Sequence, residues 1–277
     1  MIRTRLEAPI VLAHGLFGFD RIGVGPVSLI DYFRGIPGAL RAAGNMVVVP
    51  RVHPTAGMPR RVEQLARGIS AAIPEGPFHL IGHSLGGLDA RLLLDAPEWR
   101  SRVLSLTTIG TPHLGSSLAD IWSIRLGRAS RFLEALGLDV TGLTAVTRTW
   151  ARRFHRKHPL PPGVRCACLA GDPPARWTCW PMMPFRYELA AHEGANDGFV
   201  PVESALAFGE PLGTQPIDHL RQMNWFPQLR DRRERPDPLD LYESAVARLA
   251  QFGYGATPPE AEFGITPSPL RKRFARL

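Results

Sequence analysis

A chain of 277 residues, 44 % apolar and 21 % charged, has the length and composition to bury one large core, which excludes a disordered or fibrous protein. No apolar run reaches the length of a membrane span, and residues 1–7 enter the first strand with no room for a signal peptide's apolar segment. The expectation is a cytoplasmic protein, or one exported without a visible signal peptide. The net charge of +8 is carried by arginine, Lys157 and Lys272 apart; without a basic stripe interleaved with aromatics it argues against nucleic acid and reads mostly as a solvated face, with an anionic interface second to that.

The apolar run at 9–13 reads as a central parallel strand, and His14-Gly15-Leu16-Phe17-Gly18 follows it as a glycine-rich loop. Residues 27–40 fit a broken helix and 46–50 a second buried strand. Residues 59–73 place Val62, Leu65, Ala66, Ile69 and Ile73 on one face, with Pro59 at the start, as an amphipathic helix does. Next come a strand at 78–81, Gly82-His83-Ser84-Leu85-Gly86, and a helix at 85–94 with Leu85, Leu88, Leu92 and Leu93 at helical spacing. Strand, Gly-x-Ser-x-Gly and helix in that order form a nucleophile elbow: the turn is so tight that the neighbours two residues from the serine must be tiny. Residues 103–109 are another strand. This βαβ alternation predicts a mostly parallel central sheet covered by helices on both faces.

From 116 to 158 the pattern is helical and apolar on more than one side, as in a cap inserted over a site. Residues 164–170 read as a strand and 171–194 as an irregular loop carrying Trp177, Trp180, Phe185 and Tyr187. Asp237 caps a helix that starts at Pro238 and ends at Gly253. The division expected is one domain over 1–253 with its cap at 116–158, then a basic, Pro-rich tail over 254–277. Cys166, Cys168 and Cys179 are odd in number and read as reduced thiols, and no Cys/His spacing suggests zinc.

Ser84 needs a base to take its proton and a carboxylate to orient that base. In the chain order Ser, acid, His, the acid is Asp197 in an Asn-Asp-Gly turn, with Asp172 as its rival, and the base is His219. His83 flanks the nucleophile in a supporting place. His155 and His158 lie at a basic helix end and read as solvated. His113, just before the cap, reads as structural or substrate-lining, and Phe17 and Trp122 are the other candidate lining residues.

His14-Gly15-Leu16-Phe17-Gly18, Gly82-His83-Ser84-Leu85-Gly86-Gly87, Thr108-Ile109-Gly110-Thr111-Pro112-His113, Asn196-Asp197-Gly198-Phe199-Val200-Pro201 and Asp218-His219-Leu220 together resemble the bacterial triacylglycerol lipases typified by Pseudomonas and Burkholderia. The resemblance runs from about residue 9 to 252. It implies an α/β-hydrolase fold with a helical cap insertion, hydrolysis of acyl esters, Ser84, Asp197 and His219 as the triad, and the backbone N–H groups of Leu16 and Leu85 as the oxyanion hole. Those lipases hold calcium through an aspartate shortly after the histidine. Here Arg221 stands in that place, and a cation there would repel the ion, so no metal and no cofactor is expected. The partners expected are a small lipid or ester substrate and a transient lipid interface. A short-chain carboxylesterase, a phospholipase, an acyltransferase or a non-catalytic binding protein would use the same scaffold.

Overall fold

The computed structural model describes residues 1–16, 31–124, 139, 141–225 and 236–256. Phe17, the middle of the expected cap (125–138) and the end of the expected tail (257–277) lie outside the described residues.

Among the described residues six parallel strands form one sheet: β1 (Ile10–Ala13), β2 (Val47–Val48), β3 (Phe78–His83), β4 (Val103–Ile109), β5 (Arg165–Gly171) and β6 (Glu210–Gln215). Their spatial order is β2-β1-β3-β4-β5-β6. The chain leaves β1 towards one edge, then returns beside it and runs to the other. The reversal lies between β1 and β3, and a crevice at the C-terminal ends of the strands opens at such a reversal.

Alternation along each strand decides which helices cover which face. Ile10 and Leu12 of β1, with Ile81 and Ile109, pack against α1 (Ile36–Ala42) and α9 (Pro238–Leu249), through Ile36, Leu40, Leu241, Tyr242, Val246 and Leu249. Val11 and Ala13, with Phe78, Leu80 and Leu106, pack against α2 (Met58–Ala72) and α3 (Leu85–Leu93), through Leu65, Ile69, Ala90 and Leu93. A strand buried on both faces must be apolar at every position, and all four residues of β1 are buried. Emptying one such position, as in Leu80→Ala, costs about 2–5 kcal/mol. The predicted cap of α9 is present: Asp237 Oδ1 accepts from the Leu239 N–H at 2.9 Å.

Short α4 (Pro97–Arg100) leads into β4. Residues 117–124 are helical (α5), and after a 3₁₀ turn at Thr141–Val146 comes α6 (Arg148–Lys157), whose Phe154 packs with Met58, Leu85 and Leu88. Two elements depart from the sequence reading. The stretch taken as an irregular loop contains α7 (Met183–Glu193), where Pro184 sits in the first turn and needs no donor. It buries only Leu189 fully, so it shows no apolar stripe. The other departure is β6, an edge strand with Pro211 and Gly213 and no buried face, which closes the sheet by backbone pairing to β5. The four-residue α8 (Val202–Ala205) precedes it.

Candidate active site

Every candidate catalytic residue sits at the C-terminal end of the sheet. Ser84 follows β3 at φ 56° and ψ −131°, a backbone conformation that L-residues avoid, and its N–H is held by the Ile109 carbonyl at 3.0 Å. Gly86 permits that turn: a Cβ there would stand 2.2 Å from the Ala13 oxygen. Leu85 is the first residue of α3, so its N–H has no acceptor within the helix and the positive end of the helix dipole lies beside it. Leu16 is one residue beyond Gly15, and a Cβ on Gly15 would come within 2.7 Å of the Ser84 Cβ. The loop after β1 is thus pressed against the serine, and no residue but glycine fits at the contact.

That loop is anchored from behind. Arg61 of α2 donates to the His14 carbonyl at 2.7 Å, to the His53 carbonyl at 2.5 Å and to Asp89 Oδ2 of α3 at 2.9 Å. Arg61 and Asp89 are both buried, and desolvation pushes the Asp89 carboxyl up to about 6 against the pull of Arg61. The sequence does carry a signal for Arg61. It falls on the buried stripe Met58–Leu65–Ile69 of α2, a charge where an apolar residue belongs.

His219 and Asp197 meet at 2.7 Å through Nδ1 and Oδ2, both buried. The Asp197 Oδ1 accepts from the Phe199 and Val200 N–H groups at 2.9 and 2.7 Å, and the Asp197 carbonyl receives the His219 N–H at 2.9 Å. The Asx turn Asn196–Gly198 and the histidine loop are therefore stitched together by both backbone and side chain. Asp172, the rival acid, pairs instead with Arg186 at 3.2 Å. Asp218, next to His219, accepts from the Cys179 N–H at 2.9 Å and the Arg221 N–H at 3.0 Å, with the Arg221 guanidinium 3.5 Å away. That guanidinium also donates to the Trp177 carbonyl.

These residues do not fit calcium. Arg221, two residues beyond the histidine, is a cation, the adjacent Asp218 carboxylate is taken up by N–H groups, and among the described residues no group of three or more His, Cys, Asp or Glu side chains could hold a metal ion. All three cysteines are free, and burial beside Asp218 pushes the Cys179 thiol up to about 12.

Of the candidate lining residues, Trp122 joins the site. Its ring packs at 5.2 Å on Phe185 and 6.0 Å on Phe199, and Phe199 stands edge-on to the His219 ring at 5.3 Å. His113 does not line a substrate space. It is fully buried, with Thr108 and Arg91 at 3.0 Å on its two ring nitrogens and Phe208 beside it, so it has no surface to offer a substrate. His158 is likewise buried rather than solvated, stacked on Phe154 and 2.5 Å from Asp95.

One further residue, Gln222, reaches the acid, and Tyr32 stands behind it through His83; neither has a motif to announce it. Gln222 Nε2 donates to Asp197 Oδ2 at 3.0 Å, and Gln222 Oε1 lies 2.9 Å from His83 Nε2. The other nitrogen of His83 is 2.7 Å from the Tyr32 hydroxyl. Burial holds His83 well below the usual histidine range, helped by the neighbouring His219, whose ring is 4.7 Å away.

The chain is 30 % identical to the triacylglycerol lipase of Pseudomonas fragi, over 88 % of this chain and 97 % of that enzyme. To the triacylglycerol lipase of Vibrio cholerae it is 40 % identical over 121 residues, which are 43 % of this chain and 36 % of that enzyme; the match spans about a third of that protein. Among solved structures, a metagenomic carboxyl esterase superposes with a TM-score of 0.72 at 25 % identity, over 91 % of this chain and 77 % of that one. No family model matches the chain.

Proposed function

Because the chain belongs to the bacterial triacylglycerol lipase family of α/β-hydrolases, we propose that it is a serine carboxylic-ester hydrolase that cleaves medium- or long-chain acyl esters, triacylglycerol or related lipids, through an acyl-enzyme. The Asp197–His219 bond at 2.7 Å carries the reading, with the His219 ring 4.7 Å from that of His83, the residue before a serine held at positive φ. Asp197 fixes the proton on Nδ1 of His219 and leaves Nε2 as the base. Ser84 Oγ attacks the ester carbonyl carbon while its proton passes to His219 Nε2. The oxyanion is met by the N–H groups of Leu16 and Leu85. His219 returns the proton to the departing alcohol, and water then attacks the acyl-enzyme by the same route, with His219 as base, to release the acid.

Trp122, Phe185 and Phe199 give the acyl chain an aromatic wall that reaches the His219 ring. Each methylene buried on such a wall adds up to roughly 0.8 kcal/mol, so longer chains gain most. Trp180 and Ile124, 80 % and 82 % exposed, are the side chains a dispersed lipid surface would cover, and the net positive charge favours an anionic one. No helix among the described residues is long and apolar enough to cross a membrane.

The test is a chain-length series of p-nitrophenyl esters, run on wild type and on Ser84→Ala, with a fluorophosphonate label to report the serine. We expect labelling at Ser84, rates that rise from acetate towards octanoate or longer, and a loss of several orders of magnitude in Ser84→Ala. An unlabelled, inactive wild type would make the chain a binding protein, and a sharp preference for acetate would make it a small-ester carboxylesterase.

A further inference from the structure

The carboxylate of Asp197 is met by more than the histidine it would orient. Oδ1 takes two backbone N–H groups and Oδ2 takes His219 Nδ1 and Gln222 Nε2, so each oxygen accepts two bonds. An ionised carboxylate can only accept. Gln222 must therefore turn its NH₂ towards Asp197, and its Oε1 towards His83. That oxygen can only accept as well, so His83 must carry its proton on Nε2 and accept on Nδ1. The Tyr32 hydroxyl must then donate to His83 Nδ1. Each orientation forces the next, and the chain of donors runs one way, from Tyr32 through His83 and Gln222 to Asp197.

Two observations indicate that the slot is built for this amide. Gly110, just after β4, and Gly171, the last residue of β5, flank it: a Cβ at Gly110 would stand 2.3 Å from Gln222 Oε1, and one at Gly171 2.5 Å from Gln222 Nε2. Gly110 also turns the chain at φ 53°, and a Cβ at Gly171 would stand 2.2 Å from the Ile217 oxygen, so both strand ends are bare where the glutamine enters. At the far end the Tyr32 hydroxyl lies against Gly15, the residue preceding Leu16 in the oxyanion loop: a Cβ on Gly15 would stand 2.7 Å from it. The chain so joins the loop that would hold the oxyanion to the acid that would orient the base.

We propose that Gln222 is a positioning residue for Asp197, with His83 and Tyr32 behind it as a one-way hydrogen-bond chain that fixes the carboxylate against His219 and ties it to the oxyanion loop. The proposal rests on the reading of Ser84, Asp197 and His219 as the triad. The polarity holds across the working pH range, because burial keeps both His83 and the Tyr32 hydroxyl neutral. The titratable groups facing the pair are His83 and, behind it, Tyr32; Asp218 is turned to Cys179 and Arg221.

Gln222→Glu keeps the shape and replaces only the donating NH₂ with an oxygen. Gln222→Met removes both hydrogen bonds at nearly constant length. A hydrogen bond to a charged group is worth roughly 10- to 100-fold in an equilibrium, so we expect kcat for a p-nitrophenyl ester to fall about 10- to 100-fold in either variant, with KM within about twofold. A second carboxylate, or the loss of a donor to the first, strengthens the pull of Asp197 on the His219 proton. The acid limb of kcat/KM should therefore move to higher pH in both. Tyr32→Phe, at the far end, should give a smaller loss in the same direction. A merely structural glutamine would lower Tm and leave kcat and the pH profile in place, and folded Gln222→Glu with wild-type kcat and pH profile overturns the proposal. Should Gln222→Met fail to fold, Gln222→Glu carries the test. Ser84→Ala, measured alongside, separates the two readings: activity retained there defeats the triad itself, whereas an inactive Ser84→Ala beside unaffected Gln222 variants defeats only the chain.

Discussion

Asp197 and Asp172 are both carboxylates that follow β5, and their surroundings differ. Asp197 is buried with all its acceptor sites occupied; Asp172 is partly exposed and paired with Arg186 alone. Asp197→Asn turns an acceptor into a donor towards His219 and favours the wrong tautomer, for which a loss of about 10⁴ in kcat is expected. Asp172→Asn removes a surface pair worth about 0.2–1 kcal/mol and should leave kcat within about twofold. Steady-state kinetics of the two variants gives the ranking, and the reverse order would move the acid to Asp172. At this scale the sequence is legible where a residue sits in a local pattern. Ser84 lies between its glycines, Asp197 in an Asn-Asp-Gly turn, and His219 after them in order. Gln222 and Tyr32 are neutral polar residues in unremarkable surroundings, and what gives them a role is contact across 139 and 51 positions with His83. No window of sequence contains that contact.

The short 3₁₀ turn Arg221–Met223 shows how an element can brace a site without an ion. Its guanidinium reaches the Trp177 carbonyl and the buried Asp218, fastening the histidine loop to the segment before α7. We expect ester hydrolysis to survive EDTA unchanged, and loss of activity on chelation with recovery on adding calcium would contradict it. Arg221→Ala, by contrast, strands a buried carboxylate and should cost about 3 kcal/mol, read as a lower Tm. Elements were legible in proportion to how much apolar surface they bury. The strand β1 is a continuous apolar run, β3, β4 and β5 are short stretches buried at nearly every position, and α9 announces its own cap. The edge strand β6 and helix α7 bury little, so backbone pairing and neighbouring loops define them, and neither leaves a periodic trace. The helical character of 116–158 was read from the same apolar signal, and its described parts, α5 and α6, are helical.

For the whole molecule, the alternation of strand and helix made the parallel, doubly covered sheet readable, and the same burial makes the fold sensitive to acid. His79, His83 and His113 are buried neutral, each held below the ordinary histidine value by desolvation, His79 down to about 4. A base depressed in the folded state contributes stability that is present above pH 6.5 and lost as pH falls towards the folded value. His79 alone should remove about 2 kcal/mol by pH 5. Asp89, raised to about 6, runs the other way, but its protonation would break the pair with Arg61. Tm should therefore fall steeply between pH 6.5 and about 4, and His79→Gln should flatten that slope. His79 is the second residue of β3, beside Ser105, five residues and about 17 Å of extended strand from Ser84, so kcat at neutral pH should not change. The donor chain behind Asp197 has a further consequence, in time rather than space. It closes a loop of 139 positions between His83 and Gln222, and contacts so distant in sequence form late. A ribosome delivers Ser84 long before His219 and Gln222, and domains assemble as units once their last strand is out. On the proposed triad, the growing chain therefore exposes a serine with no base, and no ester should be cleaved before synthesis is complete.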